Sequence, residues 1–381
     1  MKQIFIIAFS LLFFSCTKEI PATGTSGGTT INPPPLAQPP PPPPGAVNNL
    51  KLSLFGNLSI ARQNVVTAAA DTKIFFAGGV IPDNSFYGFT PLSRVDIYDT
   101  VSHIWTTAEL SIARFGIAAV AAGNKIFFGG GFNVIPNGSG FDIHDESRVD
   151  IYDVSTNSWS TTELSVPTSN MAAVTVGNKV FFAGGNYDVY TSPALFMYDI
   201  AIQTWSGSSI TSRSALSAIS INSKIYFAGG YDVDYMGDNA FYINKVEIYD
   251  VSSNAWSFAT MSEAKTTSAS IAAGNTIFWA GSSTKIEMYD VISGAHSFYD
   301  LGTNVTQSVK KKNKLLFFNA GYTPVRSKRV DVLDIDTNTW LKYQLPQPIQ
   351  NTGIVSSGDK VYMAGGLVNG TISNEVWLLD F

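Results

Sequence analysis

The chain of 381 residues predicts an all-β protein built from a repeated unit arranged around an axis, and three observations carry that reading. Aromatic residues reach 13% against only 14% charged, with 32 glycines, a composition suited to a turn-rich, apolar-cored sheet protein and poor in helix formers. A strand ending in paired glycines recurs: KIFFAGG ends at Gly79, KIFFGGG at Gly131, KVFFAGG at Gly185, KIYFAGG at Gly230 and KVYMAGG at Gly366. Two altered copies, TIFWAGS ending at Ser282 and LLFFNAG ending at Gly321, fill the gap, so the spacings are 52, 54, 45, 52, 39 and 45 residues. A period of about 50 residues belongs to propeller arrays, not to helical solenoids. Each unit also resolves into four short β patterns. The predicted fold is a seven-bladed β-propeller of four-stranded antiparallel blades.

Residues 1–16, MKQIFIIAFSLLFFSC, precede the repeats and combine Lys2 with an apolar stretch over 4–14. That stretch is well short of the roughly 20 residues needed to cross a bilayer, so it predicts a signal peptide rather than a membrane span. Ser15 before Cys16 resembles a bacterial lipobox, with Phe13 where that motif usually has Leu. The resemblance implies cleavage and acylation at Cys16 and an exported, lipid-anchored protein of the bacterial envelope, with the outer membrane as the expected site. Two or more acyl chains at about 0.8 kcal/mol per buried methylene suffice for stable anchoring. Residues 17–49 show no apolar periodicity and contain prolines at 33–35 and 39–44, which predicts a disordered, polyproline-II-favouring stalk. The propeller is assigned to 50–381.

Within a unit, the first pattern is small and apolar, as in GIAAVAA at 116–122 and NMAAVTV at 170–176, which suits the strand nearest the axis. Gly123-Asn124 and Gly177-Asn178 supply two-residue hairpin turns into the glycine strand. That strand lacks polar alternation, as a sheet covered on both faces requires. Its glycine pairs imply close approach of another segment, expected to be the Tyr and Trp side chains of strands three and four. The third pattern is SRVDIYD at 93–99 and 147–153, then ALFMYD, NKVEIYD, TKIEMYD and KRVDVLD. Trp105, Trp159, Trp205, Trp256 and Trp340 open the fourth strand, and His296 stands in the tryptophan position of the fifth unit, which reads as an outer-strand substitution.

Glycine pair, Tyr-Asp and Trp at these intervals resemble the kelch repeat of β-propellers over residues 50–381. The resemblance implies six or seven four-stranded blades and a protein that binds proteins or sugars, with enzymes a minority. Seven glycine strands occur but only six are followed by a fourth strand, because the chain stops at VWLLDF. LKLSLFGNLS at 50–59 is the available replacement, so the N-terminal strand is expected to join the last blade and close the ring without an exposed edge.

The formal charge of −5 argues against nucleic acid as a partner. One cysteine, in the leader, and three histidines leave no internal disulfide and no cysteine-based metal cage, so neither a cofactor nor a metal is expected. His103 and His144 are isolated, and Lys310, Lys311, Lys312 and Lys314 read as a solvated charge run on the face opposite the long loops. The loops between strands two and three are long in the first four units and place aromatics among carboxylates: Phe86, Tyr87, Phe89, Phe132, Phe141, Tyr187, Tyr190, Tyr231, Tyr235, Phe241 and Tyr242 with Asp142, Asp145, Glu146, Asp188, Asp232, Asp234 and Asp238. Such platforms suit sugar rings or a protein surface, and the same residues can pack the loops and fix their turns. Nearer the axis, Arg62, Arg114, Arg213 and Lys265 lead into first strands, with Thr168 and the PQPI segment at 346–349 interrupting the series. They either receive ligand carboxylates or phosphates or hydrogen-bond loop carbonyls, the role common at this junction in kelch repeats. The expected ligand-binding set is Arg62, Arg114, Arg213, Lys265, Tyr87, Phe89, Phe141, Asp145, Tyr187, Tyr190, Asp234, Tyr235 and Tyr242, on a monomer that binds a glycan or protein.

Two enzymatic relatives bear on that expectation. Copper-radical oxidases of the kelch type need a Tyr–Cys crosslink that the single Cys16 cannot supply. Kelch sialic acid mutarotases use basic and acidic residues on the propeller face, which Arg62, Arg114 and Arg213 with Asp145 or Glu146 would mimic. A structural envelope component with no small ligand is the third alternative.

Overall fold

The computed structural model describes residues 47–83, 88–137, 140–234, 239–319 and 328–380. The leader with Cys16 and the Pro-rich run up to residue 46 lie outside them, as do Phe86, Tyr87, Tyr235 and Asp238 of the long loops. Among the described residues each repeat has a four-stranded antiparallel sheet, seven in all, and the sixth sheet gains a fifth, parallel strand. Blade one, from the axis outward, is Val66–Ala70, Lys73–Ala77, Arg94–Asp99 and Trp105–Glu109. The next five follow the same order, and blade seven is Gly353–Ser357, Lys360–Ala364, Glu375–Asp380 and the N-terminal strand Lys51–Asn57.

Small side chains fit the inner strands because these converge. Ala118–Ala122, AAVAA, is buried throughout. Val66–Ala70 lies beside Ala118–Ala122 on one side and beside Gly353–Ser357 on the other, so blades one and seven are neighbours. The apolar core is accordingly divided into layers between blades. Phe75 packs with Phe128 and Tyr152 between blades one and two, while Phe76 packs with Tyr98 and Tyr362 between blades one and seven. Adjacent residues of one strand are therefore both fully buried, on opposite faces. Each such Phe contributes about 1.5–3 kcal/mol.

The close approach at the paired glycines comes from main chain and not from Tyr and Trp rings, which corrects the sequence expectation. A Cβ on Gly365 would lie 2.5 Å from the carbonyl oxygen of Arg62 in blade one, and the Gly366 N–H donates to that same oxygen at 2.9 Å. Gly184 and Gly185 stand in the same relation to Arg213 of the following blade. The rings pair instead with each other: Tyr98 with Trp105 at 5.1 Å, Tyr152 with Trp159 at 4.9 Å, and Tyr289 with His296 at 4.9 Å. His296 thus takes the tryptophan's place. Asp99, after Tyr98, accepts the N–H groups of Val101 and Ser102 at 2.9 and 3.0 Å and Lys73 Nζ at 3.1 Å, closing the turn into strand four.

At the seam, Lys51–Asn57 runs antiparallel to Glu375–Asp380, with an irregularity between Leu54 and Gly56. Phe55, at the irregularity, meets Tyr98 at 4.8 Å and Tyr362 at 5.2 Å edge-on, and so fills the blade-seven side of the layer in a strand that has no tryptophan. Asn48–Asn49, read from the sequence as the end of the stalk, form a short strand parallel to Thr339–Gln344 of blade six. The chain therefore enters along that blade's outer edge.

Candidate functional site

The long loops are not irregular. Val80–Pro82 pairs with Phe89–Pro91, Phe132–Asn137 with Gly140–Asp145, Asn186–Tyr187 with Tyr190–Thr191, and Tyr231–Val233 with Ala240–Tyr242, each a two-stranded ribbon. Each is rooted by a single bridge to the junction before its own inner strand: Gln63 with Val80, Phe115 with Phe132, Ser169 with Asn186, Ser214 with Tyr231. At the first two roots Phe115 lies 4.9 Å from Phe89 and 3.8 Å from Phe132, ring to ring. Phe89 and Phe132 are thereby packing residues. Adjacent ribbons are tied as well. Asp145 of the second accepts the N–H of Asp188 in the third at 2.6 Å, and the Thr191 hydroxyl of the third donates to the Asp232 carboxylate of the fourth. Burial pushes the Asp145 carboxyl up, against the lowering effect of its hydrogen bonds from Ser169 and Asp188.

The junction cations lie inside the blades. Arg62, Arg114 and Arg213 are 0% exposed and Lys265 is 2% exposed. Arg114 donates to the carbonyls of Gly130 at 2.8 Å, Ile112 at 3.0 Å and Phe128 at 3.1 Å, and to Asp150 at 2.7 Å. Arg62 repeats this set with Gly78, Ile60, Phe76 and Asp96. Arg213 bonds the carbonyls of Gly229 and Lys245 and pairs with Glu247. Lys265, lacking the fork, reaches the Lys285 carbonyl at 3.1 Å and Glu287 at 4.0 Å. Burial lowers the pKa of all four, opposed chiefly by the paired carboxylates. Of the two roles open to these cations the hydrogen bonds follow the second: they tie strands two and three to the junction of the same blade. Glu146, half-buried beside this junction, has its carboxyl pushed up by burial, against the lowering effect of the nearby Arg114 charge.

Where the cation is missing the carboxylate changes with it. The register places Asp96 opposite Phe76 and Asp150 opposite Phe128, but Phe196 opposite Phe182 and Trp377 opposite Met363. These apolar residues occur in blades three and seven, whose junctions carry Thr168 and Ile349. Blade six keeps Asp331 and supplies Arg329 from the same strand, at 2.7 and 2.9 Å. In blade five Glu287 has a second partner in His296 Nδ1 at 2.7 Å.

The outward surface of the ribbons remains. Tyr187 is 49% exposed, Tyr190 39%, Phe241 57% and Tyr242 56%, joined by the aliphatic Ile143 and Val189. Tyr187 lies directly opposite Tyr190, and Asp232 opposite Phe241. Asp234 fixes its own turn, its N–H donating to the Asn239 carbonyl at 3.1 Å and its carboxylate accepting from the Asn239 amide. Phe141 lies in the second ribbon opposite Pro136, while Tyr87 and Tyr235 lie outside the described residues. Sequence reasoning missed Ile143 and Val189, and also a ribbon on blade seven, where Leu367–Val368 pairs with Thr371–Ile372 and with Ile349–Gln350. Asn369-Gly370, both at positive φ, is the hairpin signal that marks it. Among the described residues no group of three or more His, Cys, Asp or Glu is placed to hold a metal ion.

Residues 212–260, one full repeat from the junction of blade four to the end of its outer strand, match the family model described as the Kelch motif. No curated protein sequence matches the chain. Among solved structures, one titled "Structure of YjhT" superposes with a TM-score of 0.54 at 12% identity, covering 86% of this chain and 97% of that one. At that identity the likeness speaks to the fold alone.

Proposed function

On the premise that the chain is a kelch-repeat β-propeller, we propose that it is an interaction module that docks a glycan or protein on the ribbon face, acting as a monomer. The observation that carries this reading is the exposure of Tyr187, Tyr190, Phe241 and Tyr242 on ribbons held rigid by cross-ribbon hydrogen bonds. Large aromatic surface normally sits in a core, so exposed rings on a preorganised support favour binding over packing. The junction cations weigh against catalysis, because Arg62, Arg114 and Arg213 are fully buried and spend their donors on carbonyls and carboxylates of their own blades.

The reading includes attachment to the bacterial envelope through an acylated Cys16, with the ribbons displayed beyond a proline spacer. Two experiments test it. Tyr187, Tyr190 and Tyr242 are replaced together by Ala, and wild type and variant are compared on glycan and peptide arrays. Lost signals at an unchanged thermal midpoint support the ribbon face, whereas equal signals from both proteins overturn it. For the anchor, Cys16→Ser should move the protein from the membrane to the soluble envelope fraction.

A further inference from the structure

The ribbons carry a charge pattern that the aromatic rings alone do not require. Segments 80–91, 132–145, 186–191 and 231–242 contain no Lys or Arg, yet their sequences hold Asp83, Asp142, Asp145, Asp188, Asp232, Asp234 and Asp238. The cations nearest their roots are engaged below them: Arg148 with Glu163 at 2.7 Å and Lys245 with Glu247 at 2.9 Å. We infer that the ribbon face docks a cationic protein segment, one that presents Lys or Arg side chains. This rests on the ribbon face being the binding surface and narrows what binds there.

Ribbon segments that hold carboxylates and no Lys or Arg repel anions, and a neutral sugar gains hydrogen bonds from them but no charge pairing. A Lys or Arg side chain gains in three ways at once. Its charge pairs with the carboxylates, its head settles over an exposed ring within about 6 Å, and its methylene stem covers apolar surface such as Ile143 and Val189. The molecule already uses one such contact, with Lys245 Nζ 4.8 Å from the centre of the Phe258 ring.

The test uses a labelled ten-residue Lys/Arg-rich peptide, its Glu-substituted counterpart and a neutral oligosaccharide array, all against the full chain. Three proteins are compared: wild type, Phe241→Ser with Tyr242→Ser, and Asp142→Asn with Asp188→Asn. Asp71→Asn with Asp359→Asn, on the opposite face, matches the change in net charge. The inference expects saturable binding of the basic peptide only, weakened about tenfold by each ribbon pair and by less than twofold by the opposite-face pair. Equal loss with the opposite-face pair means unspecific attraction to an acidic protein and overturns the inference. Binding of the oligosaccharide but not the basic peptide, abolished by the aromatic pair, overturns the cationic partner while leaving the ribbon-face reading intact. No ribbon-dependent binding of any probe overturns both.

Discussion

Arg114 and Asp150 meet at 2.7 Å with 0% and 3% of their side chains exposed, and the same two positions in the following blade hold Thr168 and Phe196. The repeat therefore offers two interchangeable ways of filling one space, an ion pair that staples the junction to strands two and three or an apolar residue that joins the layer between blades. A half-exchange has neither advantage, since it leaves a desolvated charge without its partner.

Arg114→Thr is expected to lower stability by about 3–5 kcal/mol, because Asp150 is then left buried without its cation. Adding Asp150→Phe to Arg114→Thr, which copies blade three, should recover most of that loss. Denaturant unfolding of the single and double variants measures both, and a double variant no more stable than the single would refute the exchange.

Acid should destabilise the protein through the turn aspartates. The N–H groups of Ser102 and Val101, with Lys73, hold Asp99 well below the usual carboxylate range, and Lys125 with Ser155 does the same for Asp153. A carboxyl whose folded value is depressed contributes stability that is complete above its unfolded value of about 3.9 and is lost as pH falls below it. Asp99→Asn with Asp153→Asn should therefore lose less stability than wild type between pH 5 and pH 3. Parallel losses in a pH series of unfolding midpoints would exclude these groups.

Deleting residues 50–58 removes Lys51–Asn57 and the Phe55 ring from the layer between blades seven and one. It also bares the edge of Glu375–Asp380. The thermal midpoint should fall sharply and soluble aggregates should appear in size-exclusion chromatography, since an unpaired strand edge templates association. An unchanged midpoint is incompatible with the seam as described.

Gly365 and Gly358 separate the two demands made on glycine. Both have positive φ, but a Cβ at Gly365 meets the Arg62 carbonyl at 2.5 Å, whereas at Gly358 it meets nothing within 4 Å. Gly358→Ala should cost about 1–2 kcal/mol, the left-handed backbone penalty alone. Gly365→Ala should cost more, because it also forces blades seven and one apart, and equal thermal shifts for the two would contradict that contact.

Most of the architecture could be read without coordinates. The Phe pairs of the second strand, the small residues of the first and the Tyr-Asp…Trp spacing are local regularities, and their sevenfold recurrence admits one closed arrangement in which Lys51–Asn57 completes the final blade. The candidate site was read less well. For Arg62, Arg114 and Arg213 the sequence left two roles open, a ligand's anion or the loop carbonyls, and did not reveal the carboxylates they pair with. Their partners lie 34 to 36 residues away and reach them only when the sheet register turns the third strand inward. Loop length likewise did not show that Phe89 and Phe132 would be drawn onto Phe115, or that Tyr187, Phe241 and Tyr242 would remain outside.

By itself, then, the order of residues determined the repeated four-strand unit and the order of its strands, since periodicity and hairpin chemistry act over a few residues and repeat. Only the tertiary structure decided which charged and aromatic side chains meet solvent. That depends on what the neighbouring strand and the neighbouring blade bring within 3 to 5 Å, a distance no spacing along the chain records.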